Sequence, residues 1–263
     1  MQGNMLQSPN KTLLYRGMHR PFEQVDLAIV VALPLEARPL CERLSGAVRL
    51  RAADRRVTVG QLGLRSLAVI EAGVGRAAAE QATQIVIDGH RPRQAIIAAG
   101  LCGGLDSAVQ RSTIIVPETL GRIGSADIRS IPPLQSHRSG HLVATGGLLL
   151  TADAIVATPA AKQALHAATG AVAVDMESWW IAAVAARAGI PCHVVRAVSD
   201  TATESIASDI ATLAAIASPA RQAGAALRLA WRRPSAIGEL AELRERAYHA
   251  ADALADYLSE IMK

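Results

Sequence analysis

Residues 171–203, AVAVDMESWWIAAVAARAGIPCHVVRAVSDTAT, constrain the fold more than any other stretch of the chain. An apolar strand-like run, Val172–Asp175, leads into an Ala-rich helical pattern, Glu177–Ala188. Gly189-Ile190-Pro191 stops the helix, since glycine and proline end helical periodicity. A second strand-like run, Cys192–Ser199, then carries Arg196 and closes at Asp200. Asp175, Glu177 and Asp200 therefore stand at element ends, where a strand can deliver them to a ligand.

The same alternation extends back to Val25. Further strands are expected at Leu27–Leu33, Arg56–Leu62, Arg65–Ala72, Gln94–Ala99 and Thr113–Pro117. Further helices are expected at Glu36–Leu44, Arg76–Asp88, Pro159–Thr169 and Ile206–Trp231. Strands alternating with helices indicate an α/β domain with a mostly parallel sheet. The pair at 56–72, broken at Leu62-Gly63, reads as an antiparallel hairpin, so the sheet is mixed. Gly121–Gly147 is rich in Gly, Ser, Pro and His and reads as a long functional or mobile connection. Residues 1–24 are expected to form a polar tail, 25–232 the main α/β domain, and 233–263 a helical extension. In that extension Leu240, Leu243, Ala247, Ala250, Leu254 and Leu258 recur at helical spacing, giving an apolar face that must cover something.

Composition narrows the function classes. Hydrophobic residues make up 51% of the chain but aromatics only 3%, so the core is built from Ala, Val, Leu and Ile. The net charge of +4 comes from arginines scattered in small groups without interleaved aromatics. That pattern reads as a solvated surface and not as a nucleic-acid footprint. Cys41, Cys102 and Cys192 lack paired spacing, which argues against a disulfide framework and a zinc site. His137 and His141 have i, i+4 spacing, but Pro132, Pro133 and Gly140 break any helix there, so no metal is assigned. No apolar run is long enough to span a membrane and no signal-peptide core precedes the domain, so a cytoplasmic location is expected.

The chemistry-bearing residues fall into a recognisable set. Val174-Asp175-Met176-Glu177 and Ser199-Asp200, with Arg196 four residues before Asp200, stand beside Glu36 in the first strand–helix loop, Val31-Ala32-Leu33-Pro34-Leu35-Glu36. Taken singly, Asp200 could cap a following helix, and Glu36 and Glu177 could complement helix N-termini. Arg196 could be a structural ion-pair partner. Gly73-Val74-Gly75 and the run Ala99-Gly100-Leu101-Cys102-Gly103-Gly104-Leu105 read as two glycine turns following strands. With Ala78, the first also matches a weak dinucleotide fingerprint. Taken together, these residues resemble the nucleoside phosphorylase and nucleosidase superfamily, and in motif the methylthioadenosine/S-adenosylhomocysteine nucleosidases.

That resemblance implies a single three-layer domain and cleavage of the N-glycosidic bond of a purine nucleoside by an enzyme with no cofactor, acting as a homo-oligomer. It implies that Asp200 protonates or hydrogen-bonds N7 of the base and that Glu177 clamps the ribose hydroxyls, with Met176 packed on the sugar. In the hydrolytic branch, Glu36 activates water. Arg196 is expected to orient Glu177 or Glu36. Gly73 and Val74 line the ribose side, and Gly100 and Leu101 lie beneath the base and nucleophile. The aromatic that the hydrolytic branch stacks on adenine falls near Ile155, and Ile155 and Val156 are both expected to bind substrate. Phosphate-using relatives place an arginine where this chain has Ala98, and its absence together with Glu36 favours water; where this chain has Leu101, both branches often carry a serine. Phosphorolysis, with phosphate as co-substrate, is the alternative, including of a lipid-linked, hopanoid-type adenosine nucleoside. A nucleoside-binding protein without catalysis is a third reading, and an oxidoreductase resting on the first glycine turn a fourth. Trp179-Trp180 stand where small residues are usual, as core filling or as the wall of a larger apolar pocket.

Overall fold

The computed structural model describes residues 24–134, 140–206 and 235–262. The expected N-terminal tail up to residue 23, the helix over residues 207–231 and His137 lie outside them. One mixed sheet runs through the molecule. In chain order its strands are β1 (Leu27–Val31), β2 (Ser45–Ala52), β3 (Arg55–Leu62), β4 (Arg65–Glu71), β5 (Ala95–Gly104), β6 (Ile114–Val116), β7 (Thr119–Arg122), β8 (Ile128–Ser130), β9 (Val143–Thr145), β10 (Leu148–Thr151), β11 (Ala173–Asp175) and β12 (Cys192–Asp200). The helices are α1 (Pro34–Glu42), α2 (Arg76–His90), α3 (Pro159–Thr169), α4 (Ser178–Arg187) and α5 (Ser235–Ile261).

The sheet is ordered β2-β3-β4-β1-β5-β11-β10-β7-β8, with β12 on β5 and β6, and β9 on β6. β1 is flanked by parallel β4 and β5, and β12 lies parallel to β5. The hairpin β3–β4 is antiparallel, as its Leu62-Gly63 break implies. β11 also pairs antiparallel with β5, although the run β11–α4–β12 looks in sequence like a parallel crossover.

Alternation along β1 sorts the two faces. Ala28 and Val30 join one core cluster with Trp179, Trp180 and Ile181 of α4 and Ala79, Ala82 and Val86 of α2. Leu27, Ile29 and Val31 join the other with Ala37 and Leu40 of α1 and Leu254, Tyr257 and Leu258 of α5. The period of two along the strand thus gives three layers: helices, sheet, helices. The apolar stripe on α5 covers α1 and the sheet, and Arg43, the C-cap of α1, holds α5 through Asp252 (2.8 Å) and Asp256 (2.6 Å).

Two expectations need correction. Gly121–Gly147 is not simply a long loop, because it contains the end of β7 and the strands β8 and β9. Each is only three or four residues long, too short for a period to show. The glycines after Ala99 do not make a turn either, since β5 continues to Gly104 and pairs with β12 along its length. There the glycines make room for side chains from neighbouring elements.

Candidate active site

β5 is the spine of the site. Gly100 has φ of +148°, and a Cβ there would lie 2.5 Å from Nη1 of Arg196 and 2.8 Å from Oε1 of Glu36. Three residues on, a Cβ at Gly103 would lie 3.2 Å from Oδ2 of Asp200. Three strand residues span about 10 Å, so the strand separates two polar clusters by roughly the length of a nucleoside.

The first cluster gathers around Arg196, which is only 1% exposed. Its Nη2 lies 2.7 Å from Oδ2 of Asp175. Its Nε and Nη2 donate to the Ser178 hydroxyl (3.1 and 2.9 Å), and its Nη1 donates to the Ala99 carbonyl (3.4 Å). Asp175 in turn accepts from the Thr151 hydroxyl (2.7 Å) and the Ser178 amide (3.0 Å), while the Trp179 amide donates to Thr151 (3.0 Å). The direct partner of Arg196 is therefore Asp175, and not Glu177 or Glu36 as the motif suggests. Through Asp175 and Ser178 the guanidinium pins the first turn of α4, where Glu177 is the N-cap.

Glu177 does not cap its own helix. Its Oε1 accepts from the Gly75 amide (2.8 Å) at the N-cap of α2, across the cluster. Glu36 stands in the first turn of α1 and reaches two ways. Oε2 accepts from the Leu33 amide (2.7 Å), while Oε1 accepts from the Leu101 amide of β5 (2.8 Å). Its helix-terminal role and its place in the cluster coexist, one oxygen each. Burial pushes the Glu36 carboxyl up from the ordinary carboxylate range, against the pull of Arg196 and the amides of Leu101, Leu33 and Ala32. Burial likewise raises Glu177, to about 7, with Asp175 adding to the effect and Arg196 opposing it.

The second cluster surrounds Asp200. Alternation predicts that residues 196, 198 and 200 share a face of β12. The ladder is instead irregular there: Val198 pairs with Cys102 and Asp200 with Gly103, so two steps on β12 match one on β5. Such a bulge re-aims the side chain that follows it. Oδ1 of Asp200 accepts from the Ser199 hydroxyl (2.7 Å), and Oδ2 meets Nζ of Lys162 at 2.5 Å. Lys162 is fully buried and also donates to the carbonyls of Thr201 (2.6 Å) and Glu204 (3.1 Å).

The other expected residues are placed as follows. Met176 is half-buried in the link between β11 and α4. Gly73 and Val74 form the turn before α2, where a Cβ on Gly73 would lie 3.0 Å from Nη1 of Arg55. Ile155 and Val156 are half-buried between β10 and α3, Val156 packing with Leu105, Leu150 and Val174. Trp179 and Trp180 are core residues, with Arg129 over the first ring and Arg76 and Arg122 over the second. Sequence reasoning passes over Lys162, Ser178 and Thr151. Lys162 did carry a signal: the chain has three lysines, Lys11, Lys162 and Lys263, among 27 basic residues.

Residues 26–232 match the profile of the phosphorylase superfamily, and the chain belongs to that family. It is an enzyme of the nucleosidase or nucleoside phosphorylase kind. Among solved structures, it is similar to a mutant of the Helicobacter pylori 5′-methylthioadenosine/S-adenosylhomocysteine nucleosidase with 5′-methylthioadenosine in its active site. The two are 17% identical with a TM-score of 0.66, covering 90% of this chain and 97% of the other. Futalosine hydrolase from the same organism is 16% identical with a TM-score of 0.65, covering 89% and 97%. The nucleosidase of Colwellia psychrerythraea in complex with adenine is 20% identical with a TM-score of 0.66, covering 92% and 96%. At these identities the likeness establishes the fold. Among the described residues, no helix is long and apolar enough to cross a membrane.

Proposed function

We propose that the protein hydrolyses the N-glycosidic bond of a purine nucleoside, with 5′-substituted adenosines the first candidates. One observation carries this reading: Glu36 is buried against β5 beside Arg196, held by the amides of Leu33 and Leu101. A carboxylate with its affinity for protons raised by burial is suited to take a proton from water near neutral pH. Glu177, fixed by the pinned turn of α4, would accept hydrogen bonds from the ribose hydroxyls in place of the Gly75 amide. Asp200 would serve the leaving base at the far end of the same stretch of β5. Arg196 is then a positioning residue, and Met176, Gly73, Val74, Gly100, Leu101, Ile155 and Val156 would form the walls.

The cations that might have served phosphate are engaged elsewhere. Arg38 is exposed and bonded to Glu42 (2.7 Å), while Arg76 lies over Trp180 and pairs with Glu80 (3.4 Å). A buried dianion without a cationic partner is costly. The guanidinium of Arg55 at Gly73 is the observation that favours phosphorolysis as the second reading. Two of the similar structures hold 5′-methylthioadenosine and adenine, which supports starting with adenosines. The test is a panel of purine nucleosides differing at the base and at the 5′ position, read by release of free base. Release from at least one member is expected, and inertness toward all of them, with tight binding of any, would leave a binding protein instead.

A further inference from the structure

Helix α3 has one buried residue, and it is a lysine. Its neighbours Ala160, Ala161, Gln163 and Ala164 face solvent, while Lys162 is 0% exposed. The ammonium sits in the first turn, at the end of a helix whose dipole disfavours a cation. Burial and position both oppose it, and the compensation is Asp200 together with the carbonyls of Thr201 and Glu204. A chain that uses arginine for nearly all its other cations, including the buried Arg196, keeps a lysine here. The chemical difference is specific: a guanidinium stays protonated in a protein, whereas an ammonium can give its proton away.

We propose that Lys162 supplies, through Asp200, the proton that the leaving base takes up. This rests on the reading of the site as an N-glycosidic hydrolase. As the C1′–N9 bond breaks, its electron pair passes into the base, and N7 takes a proton from the Asp200 carboxyl. Asp200 takes its proton from Nζ of Lys162, which becomes a neutral amine. Water adds its oxygen to C1′, and Glu36 removes the water's proton. Return of that proton to solvent and reprotonation of Lys162 close the cycle, with nucleoside and water giving free base and ribose.

Asp200 therefore need not enter the reaction as a free acid, because Nζ of Lys162 donates directly to its Oδ2 (2.5 Å). The other titratable groups nearby are Cys102 of β5, whose thiol burial holds neutral, and Glu204, whose carboxylate accepts from the Thr201 amide (2.9 Å) and pairs with Arg111. On α3 itself His166 has Nδ1 at the Ala171 carbonyl (2.8 Å).

The experiment compares kcat/KM of the wild-type enzyme, K162M and K162R across pH on a nucleoside the wild-type enzyme cleaves. Taking the ratio to wild type cancels the titration of Glu36 and Glu177, which all three share. Without a proton donor behind it, the carboxyl must be protonated from solution. The ratio is then expected to grow from about pH 6 to about pH 9, approaching tenfold per unit, in both variants. A ratio that does not change with pH, or full rescue by K162R, would overturn the proposal and leave Lys162 a structural partner. If K162M or K162R does not fold, D200N/K162M, which removes both charges, is compared with D200N. Equal rates support action through Asp200, and a further large loss in the double variant overturns it. Inertness of the wild-type enzyme toward every nucleoside would instead refute the hydrolase reading itself.

Discussion

The two polar clusters on β5 differ in their balance of charge. Around Gly100, one buried cation, Arg196, faces three acids, Asp175, Glu177 and Glu36. Around Gly103, one cation, Lys162, faces one acid, Asp200. The first cluster carries excess negative charge and carboxyls whose proton affinity burial has raised. Such a cluster can remove protons and lie beside developing positive charge. The second is a matched pair, suited to holding one proton and handing it on. In the proposed reaction the sugar becomes cationic and the base anionic; the acid-rich cluster would lie beside the first, and the matched pair would hand its proton to the second.

The largest expected effect strikes the matched pair. Asp200→Asn keeps the side-chain volume and removes the acid, so kcat should fall by about 10²–10⁴. Near-normal turnover would take Asp200 out of the mechanism and dissolve the distinction between the clusters. On the other side, Arg196→Met strands three buried carboxylates. Removing one partner of a buried pair costs roughly 3–5 kcal/mol, which denaturant unfolding would show. A loss below 1 kcal/mol would mean that Arg196 does not hold the cluster together.

Smaller effects sharpen the comparison. Glu177→Gln should cost about 1.5–3 kcal/mol of transition-state stabilisation, the range for a hydrogen bond to a charged group. A 2′-deoxy substrate should then lose little more, because the partner of that hydroxyl is already gone. Full additivity of the two losses would remove Glu177 from the ribose. The glycines offer a matched test at each end of the spine. Gly100→Ala meets both a contact of 2.5 Å and a backbone conformation that side chains avoid, so a loss of about 1–3 kcal/mol in stability is expected. Gly103→Ala meets only a 3.2 Å contact with Asp200 and should be milder in stability while lowering kcat.

A further effect is on stability against pH. Glu177 is raised in the folded protein from 4.5 to about 7, so the fold favours its protonated form. The stability this gives is complete below pH 4.5 and is lost as pH rises toward 7. Glu177→Gln should thus gain stability over wild type across that window and hold a constant gain above it. Activity should move the other way in the wild-type enzyme, falling in acid as Glu36 and Glu177 take up protons. A difference in stability that does not depend on pH would show that Glu177 is not carrying this burial penalty.

Sequence and structure agree most where periodicity and motif coincide. The apolar runs of β1, β4 and β12 and the stripe of α5 are long enough to show their period, and the structure bears them out within a few residues. Strands β7 to β10 have three or four residues and no period to read. The site divides in the same way. Glu36, Glu177, Arg196 and Asp200 stand at element ends within recognisable runs. The partners that fix them, Asp175 to Arg196 and Lys162 to Asp200, depend on side-chain direction across the sheet, which spacing does not encode. The register shift at Ser199 shows why, since simple alternation mis-aims Asp200 just where its aim matters.

Water is the proposed nucleophile at the acid-rich cluster, with Glu36 as its base. The direct measurement is base release by the wild-type enzyme and by Glu36→Gln, in buffer free of phosphate and in buffer containing it. Undiminished release without phosphate, ribose as the product and a drop of about 10²-fold or more in Glu36→Gln is the predicted result. Strict dependence on added phosphate, with ribose 1-phosphate as the product, would contradict it and make the enzyme a phosphorylase.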